Sequence, residues 1–110
     1  MRIPDFPFTA IDWANVAGEE HPGETGTALW RTITAGDMRV RMVEYSPGYL
    51  ADHWCPRGHI LLITEGEMIA ELKDGREFLL KKGMGYIASD DATTPHRSRA
   101  EGGCKLFIVD

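Results

Sequence analysis

A chain of 110 residues and 12.3 kDa has room for one domain with its own core and needs no disulfide framework to fold. Its 43% hydrophobic and 26% charged residues exclude a disordered chain, which combines low hydrophobicity with high net charge. Lys plus Arg number 12 against 17 Asp plus Glu, a net charge of -5 without a basic block, so neither nucleic acid nor an anionic membrane is the expected partner.

From the start of the chain, Met1-Arg2-Ile3-Pro4-Asp5 places an acid and a proline where an export signal would carry its apolar stretch. The longest aliphatic run, 60–63, is far too short to span a bilayer, and the cytoplasm is the expected compartment. Cys55 and Cys104, in a chain with no export signal, are expected as free thiols. Residues 8–13 read as a candidate strand and 19–26 as a loop. Ala35-Gly36-Asp37 turns a strand over 29–34 into one starting near Met38, where Met38, Val40 and Met42 alternate with charged residues. Glu44 shares that apolar parity, which aims it into a barrel unless the strand bulges or ends first and leaves it exposed, the commoner case. Further on, His59, Leu61 and Ile63 share one face, as do Met68, Ala70 and Leu72, and then Phe78 with Leu80. Asp74-Gly75 joins the last two segments with a hairpin signal whose two turn positions call for positive φ. The final run, 105–109, is β-prone throughout and reads as buried on both faces. About nine or ten short strands at regular spacing describe an all-β sandwich or barrel, one domain over 1–110.

The chemistry-bearing residues concentrate at His53, Cys55, His59 and His96. On an extended strand His53 and Cys55 leave the same face. Pro56-Arg57-Gly58 then forces a turn, and His59 opens the next strand. His96 follows Pro95 at the start of a later strand. Imidazole and thiolate are the ligands that zinc and other borderline transition metals prefer. The alternative is a set of unrelated surface or core histidines with Cys55 as a small buried hydrophobe, and spacing alone does not decide between them.

The pattern resembles the cupin superfamily of small double-stranded β-helix (jelly-roll) barrels. The first motif of that family runs from a glycine through two histidines two apart and an acid to a closing glycine. Gly48 leads here, His53 takes the first histidine position, Cys55 replaces the second, His59 stands at the position of the acid and Gly66 closes. The second motif is similar to Gly83 through His96, with about two extra residues, and Ala100 stands near the place of the usual closing asparagine. The string Asp52-His53-Trp54-Cys55 is similar to the signature of the DHCW-motif cupin fold proteins. The resemblance covers roughly residues 39–109, with the motif-bearing barrel at about 37–110.

The resemblance implies a metal held by His53, Cys55, His59 and His96, and a small organic molecule bound or transformed inside the barrel. With three histidines alone the site keeps open positions; with Cys55 added it closes into tetrahedral, structural zinc. Zinc is the expected ion, with nickel, iron or manganese as alternatives. A non-catalytic sensor with a closed metal or none is the competing expectation, since fold does not fix function. Glu44, Arg57 and Tyr86 are weaker catalytic candidates, each with a plainer role: an exposed acid, an exposed loop arginine and a packed core ring. Trp54 is expected to face away from Cys55, His21 to be solvated and Cys104 to be buried and inert. Phe6, Phe8, Trp13 and Trp30 supply an apolar contact for an expected homodimer.

Overall fold

The computed structural model describes Ile3, residues 5–90 and residues 93–110; Met1, Arg2 and Pro4 of the leading segment lie outside the described residues. The elements are a 3-10 turn (Trp13–Asn15) and nine strands, β1 (Gly18–Pro22), β2 (Thr27–Ala35), β3 (Met38–Tyr45), β4 (Tyr49–Leu50), β5 (His59–Leu72), β6 (Glu77–Lys81), β7 (Gly85–Ala88), β8 (His96–Ala100) and β9 (Cys104–Val109). No helix among the described residues is long and apolar enough to cross a membrane.

All strand pairs are antiparallel, in the order β1-β2-β3-β9-β5-β8-β4, with β6 and β7 also on β5. The barrel is organised by β5. Its first half pairs with β7 and β9, and its second half with β6 and β8. Between these halves the register on β9 shifts from Ile63 to Glu65, the local irregularity by which a strand bends from one sheet into the other. Gly66, at φ 75°, completes the bend. A side chain there would adopt the left-handed region and bring its Cβ to 2.7 Å from the Gly103 carbonyl oxygen, so only glycine fits.

Between the two sheets lie Leu106, Ile63, Val43 and Met68, each essentially sealed from solvent, with Ala28, Ala70, Leu80 and Ala100 around them. The parity read for β5 holds: Leu61 and Ile63 are buried, and so are Met68 and Ala70 beyond the bend. Leu80 is buried, whereas Phe78 on the same face is exposed.

Several expectations change. The strand expected over 8–13 is absent; the chain instead makes the 3-10 turn, whose N-cap Asp12 accepts from the Ala14 amide at 3.2 Å. Part of the 19–26 loop is strand β1, paired along β2 from Gly18↔Arg31 to Pro22↔Thr27, because a partner edge outweighs a weak intrinsic propensity. The Asp74-Gly75 hairpin exists, but only Gly75 has positive φ among its turn residues. The Leu72 N–H donates to the Arg76 carbonyl at 2.8 Å and the Leu72 carbonyl accepts from the Gly75 N–H at 2.9 Å, which leaves a three-residue loop ending on that glycine. β9 is buried on one face only: Cys104, Leu106 and Ile108 point inward, and Lys105 is exposed.

The largest reversal is on β3. Arg41 and Val43 are its buried residues, with Arg39 and Tyr45 on the same face, so the charged parity rather than the methionine parity faces the interior. Glu44 accordingly points away from the interior and meets Lys105 at 3.4 Å.

Gly85 on β7 offers a test of how tightly the sheet is packed. A Cβ at this position would run into the Leu61 carbonyl oxygen on β5, backbone that cannot swing aside. Gly85→Ala should therefore destabilise the fold by about 1–3 kcal/mol, read by urea unfolding. Gly102→Ala, where a Cβ meets nothing, is the control and should be near neutral.

Candidate metal centre

Three of the four residues singled out by the motif meet at one end of the barrel. Cys55, His59 and His96 each present a ligand atom, all within 4.8 Å of one another. His59 is the first residue of β5 and His96 the first of β8, while Cys55 lies outside any strand. Its position is nonetheless set by backbone. The Cys55 amide donates to the His96 carbonyl at 2.7 Å, and the His96 amide donates back to the Cys55 carbonyl at 3.0 Å. Two of the three side chains thus emerge from one cross-strand pair.

Cys55 Sγ lies 3.7 Å from His59 Nε2. Zinc bonds of ~2.3 Å to sulfur and ~2.05 Å to nitrogen at a tetrahedral angle separate the two ligands by roughly 3.6 Å. The His59 and His96 rings stand edge-on with centroids 4.9 Å apart, and His96 Nε2 is buried without a hydrogen-bond partner, a donor that an ion would satisfy. Burial, followed by the neighbouring His96, pulls the His59 pKa down to about 4, against the opposing pull of Asp110. Burial also lowers that of His96. Both rings are neutral at pH 7, as metal binding requires. The donor set fits a borderline ion such as zinc.

His53 is outside this group. It sits at a bend rather than on a strand, so the parity argument that paired it with Cys55 does not apply. Its side chain is 73% exposed, and Nδ1 lies 2.6 Å from Asp52 Oδ1. It does line the same cavity, of about 110 Å3, together with Cys55, His59 and His96. A larger, apolar groove of about 450 Å3 between β6 and β7 shares Tyr86 and His96 but touches neither Cys55 nor His59. All three candidate ligands line the smaller space.

On the far side of His59 lies a carboxylate that motif reasoning missed. Asp110 has a fully buried side chain, with Oδ2 3.3 Å from His59 Nδ1. The contact is close in distance but off the line of a straight hydrogen bond, since His59 Nδ1 has no partner by angle. Arg39 grips the same carboxylate with two bonds of 3.1 and 2.7 Å, Arg41 donates at 3.2 Å, and Arg57 stands 3.6 Å away. Burial pushes the Asp110 pKa up, but the Arg39 hydrogen bonds and the charges of Arg41 and Arg39 outweigh it and hold the group below the ordinary carboxylate range. The signal was present in strand parity: Cys104, Leu106 and Ile108 point inward, and Asp110 is the next residue of that parity.

The remaining candidates fall as follows. Tyr86 lines the cavity with its ring 5.7 Å from that of His96, and burial raises its pKa. Trp54 lies under the Arg97 guanidinium at 4.4 Å, away from the cavity. His21 is stacked on Trp30 at 3.8 Å rather than solvated, because β1 carries it onto the indole face. Cys104 is buried, and burial pushes its thiol up to about 12. Of the aromatic residues expected at a dimer contact, Trp13 packs edge-on against Phe107 and Trp30 lines the cavity, which leaves Phe6 and Phe8 exposed.

No protein-family model and no curated protein sequence matches the chain. Solved structures do. The chain is similar to a predicted oxalate decarboxylase from Thermotoga maritima (TM-score 0.76, 15% identity, 92% of this chain and 96% of that one). It is also similar to an RmlC-like cupin from Shewanella frigidimarina (TM-score 0.71, 14% identity, 96% and 89%). A third is a sugar phosphate isomerase of the cupin superfamily from Silicibacter pomeroyi (TM-score 0.72, 14% identity, 92% and 74%). At these identities the likeness establishes architecture, and that architecture is the one the two glycine–histidine motifs implied: this chain folds as a cupin barrel.

Proposed function

We propose that the protein is a metal-binding cupin in which Cys55, His59 and His96 hold a divalent transition ion, zinc foremost, and in which the adjoining cavity binds or transforms a small organic molecule. The observation that carries this reading is the convergence of a thiol and two neutral imidazoles, with a 3.7 Å sulfur–nitrogen separation. A bound ion would supply Lewis acidity, polarising an oxygen of the bound molecule or of water.

The chain's own residues do the rest. The Asp110 carboxylate, 3.3 Å from His59 Nδ1, favours the tautomer with its proton on Nδ1 and so keeps Nε2 free as the ligating nitrogen, the usual task of a carboxylate behind a metal-bound imidazole. Leu61, Tyr86 and Ile108 wall the cavity and limit water. His53 is the candidate for the fourth position. While it stays with Asp52 the position is open to water or substrate, which favours an enzyme; if it turns inward the site closes, which favours a structural or sensing role.

Metal-free protein titrated separately with zinc, nickel, iron(II) and manganese(II) in a calorimeter tests the reading. One equivalent of zinc, bound more tightly than manganese, is expected. Absence of binding by any of the four would overturn it. The exposed Phe6 and Phe8 support a homodimer through the N-terminal third, and a monomeric mass by light scattering would count against that pairing.

A further inference from the structure

The wall of the cavity is cationic in a way that the metal centre does not require. Arg39, Arg41 and Arg97 line it, and no Asp or Glu is among the described residues that do. Arg97 is accounted for by Glu71, at 2.8 Å. Arg39 and Arg41 both meet the side-chain carboxylate of Asp110, so the positive charge of the wall rests on two guanidinium groups facing one carboxylate side chain. Arginine does not shed its proton to escape burial, so that charge persists at every working pH.

Arg41 is the sharper observation. It is only 4% exposed. It reaches Asp110 through one terminal nitrogen at 3.2 Å, while its Nε is buried with no partner. Buried guanidinium donors left unsatisfied are costly. The Trp30 ring lies over the guanidinium, 4.4 Å from its carbon to the ring centroid. Arg41, Cys55, His59 and His96 all face the same cavity of about 110 Å3.

We propose that this cavity takes a small monocarboxylic acid, whose carboxylate is held by Arg41 with Arg39 beside it, next to the Cys55–His59–His96 centre. This rests on the proposed function to the extent that the cavity is the ligand site. A planar guanidinium fork matches the two oxygens of a carboxylate, and a cavity of about 110 Å3 admits only a few heavy atoms, which leaves room for one carboxylate on a short chain.

Propionate and its neutral counterpart propionamide are the probes, with inorganic phosphate as a third, each followed by ligand-observed NMR on metal-free and zinc-loaded protein. Propionate should bind at least about tenfold more tightly than propionamide, and Arg41→Met should lose about tenfold or more of the propionate affinity while retaining one equivalent of zinc. Arg41→Lys keeps the charge and serves if the methionine variant does not fold; it should retain a preference for propionate over propionamide. Equal binding of propionate and propionamide by the unaltered protein would overturn the proposal, and so would tighter binding of phosphate than of propionate. If zinc fails to bind but propionate still binds through Arg41, the metal reading falls and this one stands. If zinc binds and propionate does not, the reverse holds.

Discussion

Asp110→Ala should lower the free energy of unfolding by about 3–5 kcal/mol, the scale on which removing one partner of a buried ion pair destabilises a protein. The carboxylate has no solvent exposure, and it receives two hydrogen bonds from Arg39 and one from Arg41. Its loss leaves Arg41 buried without its counter-charge, so the cost is the uncompensated cation more than the missing bonds. Asp110→Asn, which keeps the shape and one acceptor oxygen, should fall between the two. Urea denaturation of the three proteins checks the order, and a loss below about 1 kcal/mol for the alanine variant would show that the arginines find water instead. The same change removes the carboxylate beside His59 Nδ1, so zinc affinity should drop about 10–100-fold.

The second large effect is expected at Cys55. If its thiolate binds the ion, zinc at a hundred times its dissociation constant adds about 2.7 kcal/mol to the folded state, a rise in Tm on the order of 10 °C for a chain of this size. Cys55→Ser should lose most of that rise, while its Tm without metal stays near that of the metal-free parent. A chelator should bring the parent to the same point. Alkylation gives an independent measure: zinc should protect Cys55, and equal rates with and without zinc would remove the thiolate from the coordination set. Cys104 is an internal reference, since burial keeps it protonated and slow either way.

Much of the barrel was legible because cupin architecture leaves local marks. Gly48, Gly66 and Gly83 all adopt positive φ, so the motif glycines stand where the backbone needs them. His59, Leu61 and Ile63 keep a common inward face because β5 is regular up to its bend. Where the rules failed, contacts distant in sequence were the cause. On β3 apolar alternation selects Met38, Val40 and Met42 as the inner face, but Arg39 and Arg41 occupy it because Asp110 and the cavity receive them; a buried counter-charge inverts the polarity pattern of a strand. His53 and Cys55 were paired by strand parity over a stretch that contains no strand, only the single Cys55↔His96 bridge. That bridge joins residues far apart in sequence, and nothing local announces it. β1 was illegible for a similar reason: Gly18–Pro22 has poor strand composition and is ordered by β2 alone.

The Cys55↔His96 bridge also bears on how the centre would choose among ions. In a loop that orders only when metal arrives, part of the binding energy goes to restricting backbone, about 1–2 kcal/mol for each residue fixed. Here the reciprocal amide–carbonyl bonds set the spacing of two ligand-bearing Cα atoms before any ion is present. Such a preorganised pair gains affinity by avoiding that entropy, and it loses tolerance, because the gap cannot widen for a larger ion without breaking one of the two bonds. Discrimination by ionic radius would then reside in main-chain hydrogen bonding, and a substitution that loosened the bridge while keeping all three ligands would broaden the range of metals bound as it weakened each of them.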